Sequence, residues 1–220
     1  MTDRFWDRTN CMHGKGRFWL CTINLLASWN SLLYNKNRKY ADAERWKSAM
    51  PKLRKTLGDI QSETCRSLMR LIETQSKTTL ARWAIGYARE RYLPICQETC
   101  PGLWEIVSQC QDAVEQKQPV SHCKSHIRLA ADMARCCTGA AEQAAARAVA
   151  VACATMQTPS NALGFLFYGA AAVAYASGGL DRSGEEYEEM AAAELEHAYR
   201  SLSACSVPEE KRPVRIVWNC

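Results

Sequence analysis

The stretch Ser121–Gly179 constrains the fold more than any other part of the chain, because it reads as two or three Ala-rich helices laid end to end. Alanine loses no side-chain entropy on entering a helix and is the best helix former. The stretch runs SHCKSHIRLAADMARCCTGAAEQAAARAVAVACATMQ, breaks at Thr158-Pro159 and resumes as SNALGFLFYGAAAVAYASGG. Helices faced with Ala, Cys and Gly let neighbouring backbones approach closely, so this stretch is expected to form the packed centre. Its charges are sparse (Lys124, Arg128, Asp132, Arg135, Glu142 and Arg147), and it offers few side chains suited to catalysis. Ala162–Ser177 is the most apolar run, yet it is shorter than the roughly 20 residues that span a bilayer. A buried core helix is predicted there, and no membrane span.

The remaining segments also carry helical periodicity. Apolar residues from Phe18 to Leu33 recur at helical spacing, and a short helix over Ala41–Ala49 follows, carrying Trp46. Met50-Pro51 interrupts it, since proline is tolerated in the first turn of a helix but not inside one. From Pro51 onward, Leu53, Leu57, Ile60, Leu68, Leu71 and Ile72 step by threes and fours, predicting an amphipathic helix with Lys52, Arg54, Lys55, Arg66 and Arg70 on its other faces. Thr78 is placed to cap the next helix, which Pro94 bends or ends. Pro101-Gly102 opens another. Gly178-Gly179 reads as a stop, and Ser183 caps a last helix whose acidic first turns suit the positive end of the helix dipole. Val214–Trp218 is the one short stretch with β-like composition. The predicted architecture is all-α, an antiparallel bundle of about seven to nine helices joined by short loops.

Charge divides the chain unevenly. Residues 1–77 hold 15 Lys+Arg against 7 Asp+Glu, whereas the remainder holds 13 against 16. The predicted organisation is a basic helical extension over 1–77, a helical bundle over 78–204 and a tail over 205–220. The 12 cysteines are scattered, several at apolar helix positions where thiols act as small hydrophobes, and no paired CxxC occurs. Disulfides and a zinc centre are therefore not expected. The start, MTDRFWDRTNC, lacks a basic stretch followed by an apolar one, so no secretory leader is expected and a reducing cytoplasm is the predicted compartment.

Constellations that carry chemistry are thin. His122, Cys123 and His126 have helical ligand spacing, but HCKSH lacks the glutamate that metalloproteases place between their histidines. Glu194-x-x-His197 has di-iron spacing without the second pair and two further glutamates such a centre requires, and reads as surface charge. There is no GxSxG, Walker loop or GxGxxG. The expectation is no enzyme activity, no cofactor and no metal. Two charged surfaces remain as candidate partner-binding sites: the acidic face Glu185, Glu186, Glu188 and Glu189, and the basic face Lys52, Arg54, Lys55, Arg66 and Arg70. The second suits an acidic protein, or nucleic acid read through phosphates and stacking on the Trp and Tyr residues of the basic third.

From Leu80 onward the chain resembles the Imm-5-like family of immunity proteins. The resemblance rests on LARWAIGYARERYLPICQETCPG, then RLAADMARCC and AAARAVAVACATMQ, then NALGFLFYGAAAVAYA and ELEHAYRSL, in that order, over residues about 80–204. It implies a cognate protein toxin as partner and stoichiometric inhibition by occlusion of the toxin's active site. No catalytic residues carry over. A nucleic-acid-associated helical regulator using the basic third is the competing expectation.

Overall fold

Eight α-helices and one 3-10 turn make up the computed structural model, which describes residues 53–218. They are α1 Glu63–Glu73, α2 Lys77–Arg91, α3 Leu93–Cys96, α4 Leu103–Glu115, the 3-10 turn Val120–Cys123, α5 Lys124–Cys136, α6 Ala140–Ala154, α7 Asn161–Gly178 and α8 Gly184–Cys205. Among the described residues the one β-type contact is an isolated antiparallel bridge between Ser76 and Pro213. The expected all-α bundle is the fold. The helices expected before Pro51 lie outside the described residues, as does Lys52.

The Ala-rich stretch forms α5, α6 and α7, and the most extensive packing is α6 on α7, followed by α5 on α6 and α7 on α8. Alanines on both sides of the α6–α7 contact (Ala145, Ala148 and Ala152; Ala170, Ala171 and Ala174) are fully buried. A helix apolar on nearly all sides must be enclosed, and α7 is: Leu163, Phe165, Leu166, Ala172 and Tyr175 are buried as well. No helix among the described residues is long and apolar enough to cross a membrane.

Several local expectations change. The helix predicted from Pro51 starts only at Glu63, where the Ser62 hydroxyl accepts from the Cys65 N–H. Gly58 explains the delay. Its φ of +111° lies where side-chain-bearing residues rarely go, and a Cβ there would stand 2.9 Å from Leu195 Cδ1. Residues 53–62 instead run as coil held against α7 and α8. Leu57 N–H donates to Phe167 O at 3.1 Å, Tyr175 Oη donates to Arg54 O at 2.7 Å, and Gly58 N–H donates to Glu188 Oε2 at 2.9 Å. Leu57, Cys65, Leu68 and Ile72 are buried in the same core as the later helices, so the compact unit begins at Leu53. Ser76, and not Thr78, caps α2, accepting from Thr79 N–H at 3.2 Å.

The chain end is tied to the α1–α2 corner through buried Gln75. Its Oε1 accepts from Val207 N–H at 2.8 Å, and its carbonyl accepts from Val214 N–H at 2.9 Å. Val214, Ile216 and Trp218 pack half-buried on the core, with Trp218 Nε1 donating to Glu73 Oε1 at 2.6 Å. Against expectation, Cys100 and Cys137 are joined in a disulfide, which links the loop before α4 to the end of α5. A separation of 37 residues leaves no local spacing signal; the fold alone brings these two together. Cys65, Cys96, Cys110, Cys123 and Cys153 are buried free thiols, as expected of cysteines acting as small hydrophobes.

The start of α8 follows the sequence closely. Ser183 and Glu186 form a reciprocal capping box, with Glu186 N–H donating to Ser183 Oγ and Ser183 N–H donating to Glu186 Oε2. The Ser183 backbone, then Arg182 and the Ser183 hydroxyl, hold the Glu186 carboxyl at about 2, below its ordinary 4.5. A carboxyl lowered in the folded state stabilises above its unfolded value and loses that contribution as pH falls toward the folded one. The Glu186 amide resonance is therefore expected to move toward its frayed position between pH 4.5 and about 2, and in Arg182→Ala, which removes a charged partner and leaves the backbone bond, the movement should begin at higher pH. An unchanged titration in that variant would show that Arg182 does not help to hold the carboxyl.

Candidate functional site

Helical spacing delivers the site. On α2, Trp83, Tyr87 and Arg91 follow one another at i,i+4, so they share a stripe that descends from the core to the helix end. Tyr92 lies just beyond, where the helix breaks before Pro94. On α8 the buried stripe is Tyr187, Ala191, Glu194, Ala198 and Leu202. Glu194 thus takes a core position, with 2% of its surface exposed.

A buried carboxylate requires donors, and this one has four. Tyr87 Oη and Tyr92 Oη donate to Glu194 Oε1 at 2.8 and 2.9 Å. Arg91 Nη2 and Nε donate to Oε2 at 2.8 and 3.2 Å. Burial first, and then the Glu194 charge, push the phenols of Tyr87 and Tyr92 far up, so both remain neutral donors. The hydrogen bond to Glu194 raises the Arg91 guanidinium in turn. Tyr87 Oη also stands 2.8 Å from His197 Nδ1. The phenol has one proton and gives it to Glu194, so His197 Nδ1 is the protonated nitrogen of that contact and donates to the phenol oxygen. Phe165 backs the cluster, its ring centroid 5.4, 6.2 and 6.1 Å from those of Trp83, Tyr87 and Tyr92.

Above this network, Arg91, His197 and Arg200 border a depression of about 470 Å³ whose apolar wall is Val173 and Met190. On the other side of α8 a second depression of about 440 Å³ runs over Ile60, Ala192 and Leu195. Exposed Ala192 and Ala193 form the low ridge between them. All four acceptor positions of the Glu194 carboxylate are occupied, which removes it as a base, and the tyrosines are held protonated. The network therefore braces a surface, and its carboxylate and both phenols are committed to one another. Among the described residues no group of three His, Cys, Asp or Glu side chains is placed to hold a metal ion. His122 Nδ1 meets Gln118 and Cys123 is buried, so they and His126 do not form such a group.

The acidic residues singled out from sequence divide into two kinds. Glu185 and Glu189 are exposed and make no ion pair or side-chain hydrogen bond among the described residues. Glu186 is engaged in the capping box and pairs with Arg182 at 2.9 Å. Glu188 binds both Arg54 and Gly58 N–H. The Arg54–Glu188 pair also joins the acidic and basic candidate faces, which are neighbours and not opposite sides. Arg70 and Arg66 lie 3.3 and 3.9 Å from Glu63, so they too are partnered within the chain, while Lys55 is exposed.

In the sequence Glu194 and His197 read as surface charge, and nothing there marks Tyr87, Arg91 and Tyr92 as a unit. A signal was present for one of them, because Glu194 falls in register with the apolar positions Tyr187, Ala191, Ala198 and Leu202. No local signal joins α2 to α8.

Comparison with known proteins places the matched region over both helices of this site. The family model described as Imm-5 like putative immunity protein matches residues 70–201, from the end of α1 through most of α8. No curated protein and no solved structure matches the chain.

Proposed function

Because the chain belongs to the Imm-5 like immunity family, we propose that it binds a cognate toxin and neutralises it stoichiometrically, the outward face of α8 covering the toxin's active site. The observation that carries this reading is the build of that face. Glu185 and Glu189 project from its first turns, Ala192 and Ala193 leave the centre low enough for close backbone approach, and Arg91, His197 and Arg200 border its far end. The Glu194 network fixes the second half of the face from beneath. A surface ordered before contact loses less side-chain entropy on binding, which favours a tight inhibitor. The role is occlusion, and it needs no catalytic group.

Of the four acidic candidates, Glu185 and Glu189 are the pair free to meet a basic toxin surface. Charge at the edge of an interface acts mainly on the rate of encounter. Glu185→Lys together with Glu189→Lys is therefore expected to weaken the complex by about tenfold or more, mostly through slower association. The partner would be captured on the tagged full-length chain in reducing, nuclease-treated extract, and then tested for toxicity alone and with this protein. A double variant that binds and protects as well as the parent would remove this face from the proposal. Failure to recover any toxic protein partner would remove the proposal itself.

A further inference from the structure

Away from α8, the start of α2 and the end of α4 border an open depression of about 190 Å³. Its floor is formed by buried Ala81, Ala113, Val114 and Met156, and Lys77 and Lys117 stand exposed on its lining. Neither lysine is in an ion pair among the described residues.

Both lysines occupy positions where the backbone prefers something else. The end of α4 is closed by two reversed bonds, from Gln118 N–H to Ala113 O at 2.9 Å and from Lys117 N–H to Val114 O at 3.3 Å. That closure puts Lys117 at φ 54°, in the left-handed region where glycine is the favoured residue. The positive charge would suit the negative end of α4 from any position in its last turn, without the strained backbone. Lys77 opens α2, whose first turn holds no acidic residue, and a cation is unfavourable at that end of a helix. Glu210 meets this end through Thr79 Oγ1 and leaves Lys77 unpaired. Two residues that each violate a local preference line one largely apolar hollow, the pattern expected of positions kept for function.

We infer that this hollow binds a small carboxylate carried on an apolar body, the body resting on Met156 and its neighbours and the carboxylate meeting Lys77 and Lys117. Size sets the class. A cavity of roughly 150 Å³ accommodates one benzene ring, whereas pockets for larger ligands start at roughly 300 Å³. One ring or one branched alkyl group fills it, and the remainder of a larger ligand would stand in solvent. The same chemistry is offered by a free acid and by the C-terminal residue of a polypeptide.

The test uses the full chain with labelled methionine methyls, titrated with phenylacetate, with neutral 2-phenylethanol, and with a short peptide ending in Phe, its C-terminus free or amidated. Phenylacetate or the free-ended peptide is expected to shift the Met156 methyl resonance saturably. The neutral alcohol and the amidated peptide should bind at least about tenfold more weakly, and Lys77→Ala with Lys117→Gly should weaken the carboxylates similarly. Lys117→Gly alone should raise the thermal midpoint, because glycine relieves the backbone, so lost binding cannot be put down to lost folding. The tighter carboxylate identifies the source. No Met156 shift with either carboxylate, equal binding by the neutral compounds, or undiminished binding in the double variant would overturn the site. A lowered midpoint in Lys117→Gly would overturn the argument from backbone cost.

Discussion

Replacing Glu194 by alanine is expected to destabilise the protein by about 2–4 kcal/mol, a large part of the roughly 5–15 kcal/mol that holds a domain of this size folded. The substitution strips the acceptor from two buried phenols and the partner from a guanidinium. Removing one member of a fully buried pair costs about 3–5 kcal/mol, and the expectation here is lower because the Arg91 side chain, 42% exposed, can turn toward water. The phenols have no such escape: Tyr92 is completely buried. Glu194→Gln keeps the shape but cannot restore the balance. Its amide offers one oxygen and one NH2 where four donors converge, so either the tyrosines or Arg91 face another donor. Tyr87→Phe should cost only about 1 kcal/mol, since Tyr92 and Arg91 still satisfy the carboxylate. Chemical denaturation followed by circular dichroism measures all three. A Glu194→Ala variant within about 0.5 kcal/mol of the parent would show that the network is incidental to stability.

Gly169→Ala should cost about 3 kcal/mol or more, although alanine is the better helix former and would stabilise most exposed helix positions. The reason is Tyr92. A Cβ at position 169 would overlap its ring at Cζ, Cε2 and the hydroxyl oxygen, and the ring has no free space to enter because Glu194 and Phe165 hold its other side. The methyl must displace Tyr92 from Glu194 or push α7 away from its neighbours. A double-mutant cycle with Tyr92→Leu separates the two. If the clash is with the ring, the combined loss falls below the sum of the single losses by more than about 0.5 kcal/mol. Simple additivity would place the strain elsewhere in α7. Gly58 is constrained in another way, a positive φ coinciding with the close approach of Leu195.

These two residues show where sequence reading stops. Gly169 lies in NALGFLFYGAAAVAYA, where a small residue among small residues carries no mark of special contact. Glu194 had one readable mark, its register with the apolar stripe of α8. Its four donors come from another helix and the residue that closes it, with over a hundred residues between Tyr87 and Glu194. The Cys100–Cys137 link is of the same kind, as is the Arg54–Glu188 pair that makes neighbours of two charged faces read as alternatives. The start of α1 at Glu63, in place of one helix from Pro51 to Ile72, has a different reason. Apolar residues spaced by threes and fours suit a coil lying along a core as well as a helix, and Gly58 and Ser62 decided between them.

Local rules in the sequence by themselves determined most of the secondary structure. Alanine content produced α6 and α7, Gly102 opened α4, Gly178-Gly179 ended α7, and the Ser183–Glu186 box started α8, because each depends on interactions within one turn of helix. The order of those helices also sufficed to indicate the family. The tertiary structure decided what the charged residues outside such local caps do. Away from a helix end, a carboxylate becomes a buried hub or an exposed contact according to which donors packing brings within about 3 Å. Glu194 and Glu189 lie on one helix and meet those two fates, and chemically they are the same residue.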